Sequence, residues 1–181
     1  MYDPSFLEQD ASIAAVALLG TIISSTIDGH TVSVKLTEVE AYGGSDDPAS
    51  HAYRTRTMRN EPMYGPAGTV YIYRSYGIHW CVNLVTGAQD DPQAVLLRGG
   101  EVVDGVRTAM NRRGRHDHLA DGPGKLGQAL GVTGRLSGSM LGADTLSIMY
   151  HPASEPAYTT TPRIGVRNGV DALKRFVVMH E

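Results

Sequence analysis

Thr31-Val-Ser-Val-Lys-Leu-Thr-Glu-Val39 alternates apolar and polar residues. A period of two marks a strand with one buried face, here Val32, Val34 and Leu36. Asp28-Gly29 precedes it and the apolar-rich run 21–27 (TIISSTI) comes before that. Two such runs joined at Asp-Gly read as a β-hairpin. Continuing the Val32 face brings Glu38 and then Glu40, about 7 Å apart along a strand. An apolar face that runs into two carboxylates is unusual, because an unpaired buried charge is costly. Two carboxylates that close can hold different protonation states, which suits acid–base work on a glycosidic bond. The residues leave a second reading open, in which the strand ends at Glu38 and both acids are solvated.

The pattern extends in both directions. Asp10 is placed to cap a helix over 11–19 that Gly20 stops. Residues 40–68 read as a long functional loop. Strands over 69–73 and 77–85 form a second hairpin around Arg74-Ser-Tyr-Gly77, and residues 94–97 form another strand. Helices are expected over 104–112 and 123–130, and late strands over 145–149 and 174–179. Strands with short connections favour antiparallel pairing. The fold class is therefore α+β: a single domain, 1–181, built on a curved, mainly antiparallel sheet, with a protruding hairpin and surrounding helices.

The 181 residues are 41% hydrophobic and 19% charged, a composition that carries a packed core rather than disorder. The longest apolar run, Ala14 to Leu19, is too short to cross a bilayer, and no membrane partner is expected. The start Met1-Tyr-Asp-Pro4 lacks a basic leader, which points to a cytoplasmic protein. Cys81 is the single cysteine, so neither an internal disulfide nor a cysteine-based zinc cluster can form. The net charge of −3 is unevenly spread. Through residue 50 eight acids face Lys35 alone; beyond it fifteen bases, thirteen of them arginine, outnumber eleven acids. Arginine suits bidentate phosphate contact, although a solvated basic surface would look the same.

Several motifs fail on context. Gly122-Pro-Gly-Lys-Leu-Gly127 has the letters of a dinucleotide fingerprint, but the polar, charged run Arg112–His118 precedes it where a strand is required. Pro123 fits the first turn of a helix, whose free amides beside Lys125 offer a phosphate site. His116-Asp-His118 is too sparse for a metal site. Neither the zinc-deaminase signature nor a Gly-x-Ser-x-Gly elbow occurs. Tyr76 at the second hairpin's tip could wedge between base pairs or pack on its own hairpin.

Taken in order, Thr37-Glu-Val-Glu-Ala-Tyr42, Asp46-Asp-Pro-Ala-Ser-His51, Arg59-Asn60, Gly68-Thr-Val-Tyr-Ile-Tyr73, Tyr76-Gly77, the Asn83 strand, Val95-Leu-Leu-Arg98, Gly122–Leu130 and Pro162-Arg-Ile-Gly165 resemble the alkyladenine (3-methyladenine) DNA glycosylases, in a compact bacterial form. The resemblance runs from about residue 18 to the C-terminus. It implies that Glu40 activates the hydrolytic water and that Arg98 orients Glu40 or that water. Tyr42, Tyr73 and His51 would hold a flipped base, Asn83 would exclude normal guanine and Tyr76 would intercalate. Arg59, Gly124 and Lys125 are expected at DNA phosphates. The implied partner is double-stranded DNA with damaged purines, met by a monomer near the nucleoid; no cofactor or metal is required. Two other classes stay open on the residues alone. A small-substrate nucleosidase would use Glu38 with Glu40, and a non-catalytic nucleic-acid module would not need Glu40. The segment 54–63 and Arg74-Ser75 depart from the family pattern and border the expected site.

Overall fold

The computed structural model describes residues 4–142 and 145–179. These form eight strands and three α-helices, in the order α1 (Ala11–Leu18), β1 (Ile22–Ile27), β2 (His30–Tyr42), β3 (Val70–Ser75), β4 (His79–Thr86), β5 (Gln93–Asp104), α2 (Val106–Arg113), α3 (Pro123–Leu130), β6 (Leu146–Tyr150), β7 (Tyr158–Thr161) and β8 (Arg175–Val178). All strand pairs are antiparallel. The sheet runs β3-β4-β5-β2-β1-β6, with β8 on β2 and β7 on β8. No described helix is long and apolar enough to cross a membrane.

Local chemistry accounts for the first elements. Asp10 caps α1 by accepting from the Ser12 amide at 2.8 Å, and Gly20 leaves the helix with φ +77°. Asp28 and Gly29 both have positive φ, as a primed two-residue hairpin turn requires. The expected α3 range is met at both ends, and α1 stops one residue sooner than expected. β7, between Pro156 and Pro162, was not foreseen.

β2 is the axis of the sheet and carries the main correction. The alternation that buries Val32, Val34 and Leu36 does not continue to Glu38 and Glu40. The residues that join those three in the core are Val39 and Ala41. Register with β5 is irregular between Leu36 and Val39, where Leu36 faces Gly100, Glu38 faces Gly99 and Val39 faces Leu97. The partner strand slips at the same place, its core face passing from Val102 to Leu97 and Val95. One slip turns every later side chain to the opposite face. Glu40 and Tyr42 are thereby carried away from the Val32 face and its core.

Gly100 permits this. A Cβ there would lie 2.4 Å from the Lys35 carbonyl oxygen, so only glycine allows the strands to approach. The expected strand 94–97 falls short of the twelve-residue β5, which runs on through Gly99-Gly100. The slip also marks a fork. β1 pairs with residues 30–35 of β2, and β8 pairs with Glu38–Glu40. Helix α1 and strands β2 and β5 supply much of the core, through Leu18, Leu36, Val95 and Leu97 among others.

Candidate active site

Beyond the slip, one row of side chains crosses five strands. Tyr71 on β3 pairs with Asn83 on β4, Asn83 with Leu96 on β5, Leu96 with Glu40 on β2, and Glu40 with Arg175 on β8. Directly paired residues project to the same face. A cavity of about 500 Å³ opens on that face, bordered by Tyr42, His51, Tyr71, Tyr73, Asn83 and Arg98 and closed on one side by 164–168. That volume falls within the range of small-molecule sites.

Glu40 lies beneath the cavity and is fully buried. Its own atoms do not border the cavity, but those of its three partners do. The Ile164 amide donates to Oε1 at 2.8 Å, Arg98 Nη1 stands 3.3 Å from the same oxygen, and the Tyr42 hydroxyl donates to Oε2 at 2.7 Å. Each carboxylate oxygen offers about two acceptor sites, so Oε2, which accepts from Tyr42, has one left for a water proton. Burial and the neighbouring Glu40 charge push the Tyr42 hydroxyl well above its ordinary range, so it stays a donor. The reading in which both acids are solvated fails on this burial.

Glu38 has a different task. Its Oε1 accepts from Arg98 Nε at 2.7 Å and from Arg175 Nε at 2.6 Å. Burial works to raise the Glu38 carboxyl, and the two guanidinium groups overcome it and lower it on balance. Glu38 is thus held as an anion that anchors Arg98 against Glu40.

The far wall is aromatic. His51 Nδ1 and the Tyr71 hydroxyl share a 2.9 Å hydrogen bond, and the His51 ring meets Tyr73 edge-on at 4.4 Å. Burial first, then the Arg59 charge, lowers the His51 pKa, which favours a neutral ring at neutral pH. Burial pushes Tyr71 up to about 12. Asn83 is buried, and its Nδ2 donates to the Tyr71 carbonyl at 3.0 Å. It therefore serves the backbone and borders the cavity at once. Cys81 borders it too, while Val82 and Leu84 face the core. Alternation along the expected strand 77–85 would put Ile78 on that core face with Val82 and Leu84, but Ile78 is 65% exposed, because β4 begins only at His79.

Tyr76 sits at the hairpin tip with φ +48° and 90% of its surface exposed. The alternative in which it packs on its own hairpin is excluded by that exposure. Arg59 lies 6.0 Å from the ring of Tyr73, a residue of the cavity wall. Lys125 is paired with Asp121 at 2.9 Å, and His118 Nδ1 lies 2.5 Å from the same carboxylate. Against the pull of burial, the hydrogen bonds with His118 and Lys125 lower Asp121 to about 2. Gly124 packs α3 on β4, since a Cβ there would meet His79 at 2.7 Å. Of the three residues expected at phosphates, Arg59 stands beside the cavity, Lys125 is shared with an acid, and Gly124 is accounted for by packing.

Sequence reasoning passed over Tyr71, Asp47, Arg163 and Arg175. Tyr71 shares the period-two face of Tyr73 and could have been found on that ground. Asp47 and Arg163 lay inside quoted motifs without a role. They form an ion pair with side chains 3% and 1% exposed, across 116 positions of sequence.

Comparison with known proteins identifies the family. The family model for methylpurine-DNA glycosylase matches residues 5–181. The chain belongs to that family. It is a DNA glycosylase, a hydrolase of N-glycosyl bonds whose substrate is DNA. Relatives named as candidate 3-methyladenine DNA glycosylases include one from Cutibacterium acnes, 43% identical over 172 residues that cover 90% of each chain. One from Methanoculleus marisnigri is 42% identical over 179 residues, covering 95% of this glycosylase and 92% of the relative. A third, from Frankia casuarinae, is 51% identical over 138 residues, covering 75% and 63% respectively.

Proposed function

We propose that the enzyme is a monofunctional glycosylase for alkylated and deaminated purines, with 3-methyladenine, 7-methylguanine, hypoxanthine and ethenoadenine as its substrate class, and that it opens base excision repair. The observation that carries this reading is the Glu40 carboxylate, fully buried under an aromatic cavity and held by two hydrogen bonds and the Arg98 ion pair.

A base inside the duplex must leave the stack to be reached. Tyr76 fills the gap it leaves, and Tyr42, Tyr73 and His51 hold the flipped base, stacking contributing about 1–3 kcal/mol per aromatic. A water entering between Tyr42, Arg98 and Ile164 donates one proton to the open site on Glu40. Its oxygen bonds to the anomeric carbon as the glycosidic bond breaks, and the bonding electrons leave with the base. An N-alkylated purine cation departs neutral; hypoxanthine takes up a proton after departure. The sugar keeps a hydroxyl at the anomeric carbon, so the product strand is abasic and intact. Arg98, anchored by Glu38, holds its positive charge beside Glu40 and keeps the carboxylate aimed. Arg59 supports the edge of the base site, and the α3 N-terminus with Gly124 and Lys125 approaches the phosphates. The enzyme acts as a monomer on damaged duplex in the nucleoid.

Hydrolysis rather than amine catalysis is supported by the absence of lysine from the cavity border among the described residues. Lys125 pairs with Asp121, and Lys174 Nζ lies 3.6 Å from Asp47. Incubating an end-labelled duplex holding one hypoxanthine tests the proposal. Free hypoxanthine should be released, with strand cleavage appearing only after hot alkali. Cleavage without alkali, or release from the free nucleoside but not from duplex, would overturn it.

A further inference from the structure

The buried pair Asp47–Arg163 touches the site through three separate contacts. Arg163 Nη2 donates to Asp47 Oδ1 at 2.8 Å, and Nη1 donates both to Asp47 Oδ2 and to the Ala41 carbonyl, the latter at 2.9 Å. Ala41 follows Glu40 on β2. The guanidinium also lies over the Tyr42 ring, 4.7 Å from its centroid, and the Tyr42 hydroxyl is a donor to Glu40. The next residue, Ile164, gives Glu40 its backbone donor. Two of the three groups on the catalytic carboxylate are therefore set directly from one cation that borders neither the cavity nor solvent.

The chain closes around this cation. Asp47 is fixed by the amides of Gly43 at 2.9 Å and Ala49 at 3.1 Å, so the acid is built into the loop after β2. The segment that begins at Arg163 forms the cavity wall 164–168 and returns over the ion pair at Gly169, where a Cβ would lie 3.3 Å from Arg163 Nη2. A planar fork with two bonds to a carboxylate fixes orientation as well as position.

We infer that Arg163, held by Asp47, is a positioning residue for hydrolysis: it clamps the 164–168 wall to β2 and so sets the Ile164 amide and the Tyr42 ring that aim Glu40. This rests on the reading of Glu40 as the base. It makes the rate of bond cleavage, rather than capture of DNA, the quantity that depends on a group outside the cavity.

The test measures two quantities in Arg163→Met: single-turnover release of hypoxanthine from duplex, and affinity for duplex carrying a stable abasic analogue, which has no base to touch the wall. Cleavage should slow about 10- to 100-fold, the scale of losing charge-assisted hydrogen bonds. Affinity should stay within about threefold, because the DNA contacts are untouched. Arg163→Lys keeps the charge without the fork and should recover part of the rate. A clamp that only stabilises the fold would lower affinity and rate together. Should Arg163→Met lose its cooperative melt, the double variant Asp47→Asn/Arg163→Met, which removes both buried charges, is judged by the same two numbers. A wild-type cleavage rate in either variant, or matched losses of rate and affinity, overturns the inference. Glu40→Gln is run alongside: if it cleaves at the wild-type rate, the base assignment itself has failed, whatever Arg163 shows.

Discussion

The Tyr42 hydroxyl donates a 2.7 Å hydrogen bond to Oε2 of Glu40, two residues away on the same strand and the same face. That oxygen keeps an acceptor site open beside the Tyr42 bond. Tyr42→Phe keeps the ring that stacks against Arg163 and removes only the donor. A hydrogen bond to a charged group is worth about 1.5–3 kcal/mol, so single-turnover cleavage should fall about 10- to 100-fold. Affinity for abasic-analogue duplex should not change. Equal loss in both would show that Tyr42 serves only to shape the cavity.

The ion pair behind Tyr42 predicts an acid limb of stability. Burial works to raise the Asp47 carboxyl, but the Arg163 hydrogen bonds, with the amides of Gly43 and Ala49, hold it well below the usual carboxylate range. A depressed pKa contributes stability that is present above the unfolded value of about 3.9 and is lost as pH falls from there toward the folded value. Asp47→Asn should lower the Tm at pH 7, by an amount corresponding to about 3–5 kcal/mol for leaving Arg163 unpaired. It should also flatten the fall in Tm between about pH 5 and pH 2.5. Parallel Tm–pH curves for the variant and the wild type would remove Asp47 from this role.

Much of the fold was legible in local signals. Asp10, Asp28-Gly29 and Pro123 mark element ends that depend only on nearby backbone, and each stands where it was read. The slip at Thr37–Glu38 was not legible, because it answers to Gly100 on the partner strand. Extending the Val32 face reached both carboxylates by a path that would have sent Glu40 into the core. The resemblance named the cavity residues, yet nothing in either motif links Asp47 to Arg163. Their pairing exists only once the segment 162–169 folds back on β2.

Tyr76 leads to a prediction that separates capture from chemistry. It is 90% exposed, so Tyr76→Ala should change stability by no more than about 0.5 kcal/mol. Affinity for lesion-bearing duplex should fall, while single-stranded substrate is affected less, since its bases need no unstacking. Equal losses on the two substrates would take the wedge role away from Tyr76.

Asn83 predicts a change in selectivity. Its Nδ2 is engaged by the Tyr71 carbonyl, so the amide is held rigidly at the cavity border. A fixed group that crowds the exocyclic amine of guanine rejects it without touching hypoxanthine, which lacks that amine. Asn83→Ala should raise removal of mispaired guanine relative to hypoxanthine by about tenfold, the scale of one small steric contact. Gel assays on matched duplexes give the ratio. An unchanged ratio would leave Asn83 with only its backbone task.

Glu40→Gln tests the central claim most directly. The substitution keeps the shape beneath the cavity and removes the proton acceptor, and loss of a general base costs about 100- to 10,000-fold. Single-turnover release of hypoxanthine should fall by that amount, with affinity for the lesion duplex retained and with Glu38→Gln less damaging. Release by Glu40→Gln within about threefold of the wild-type rate would contradict the account, and a larger loss in Glu38→Gln would move the base to Glu38.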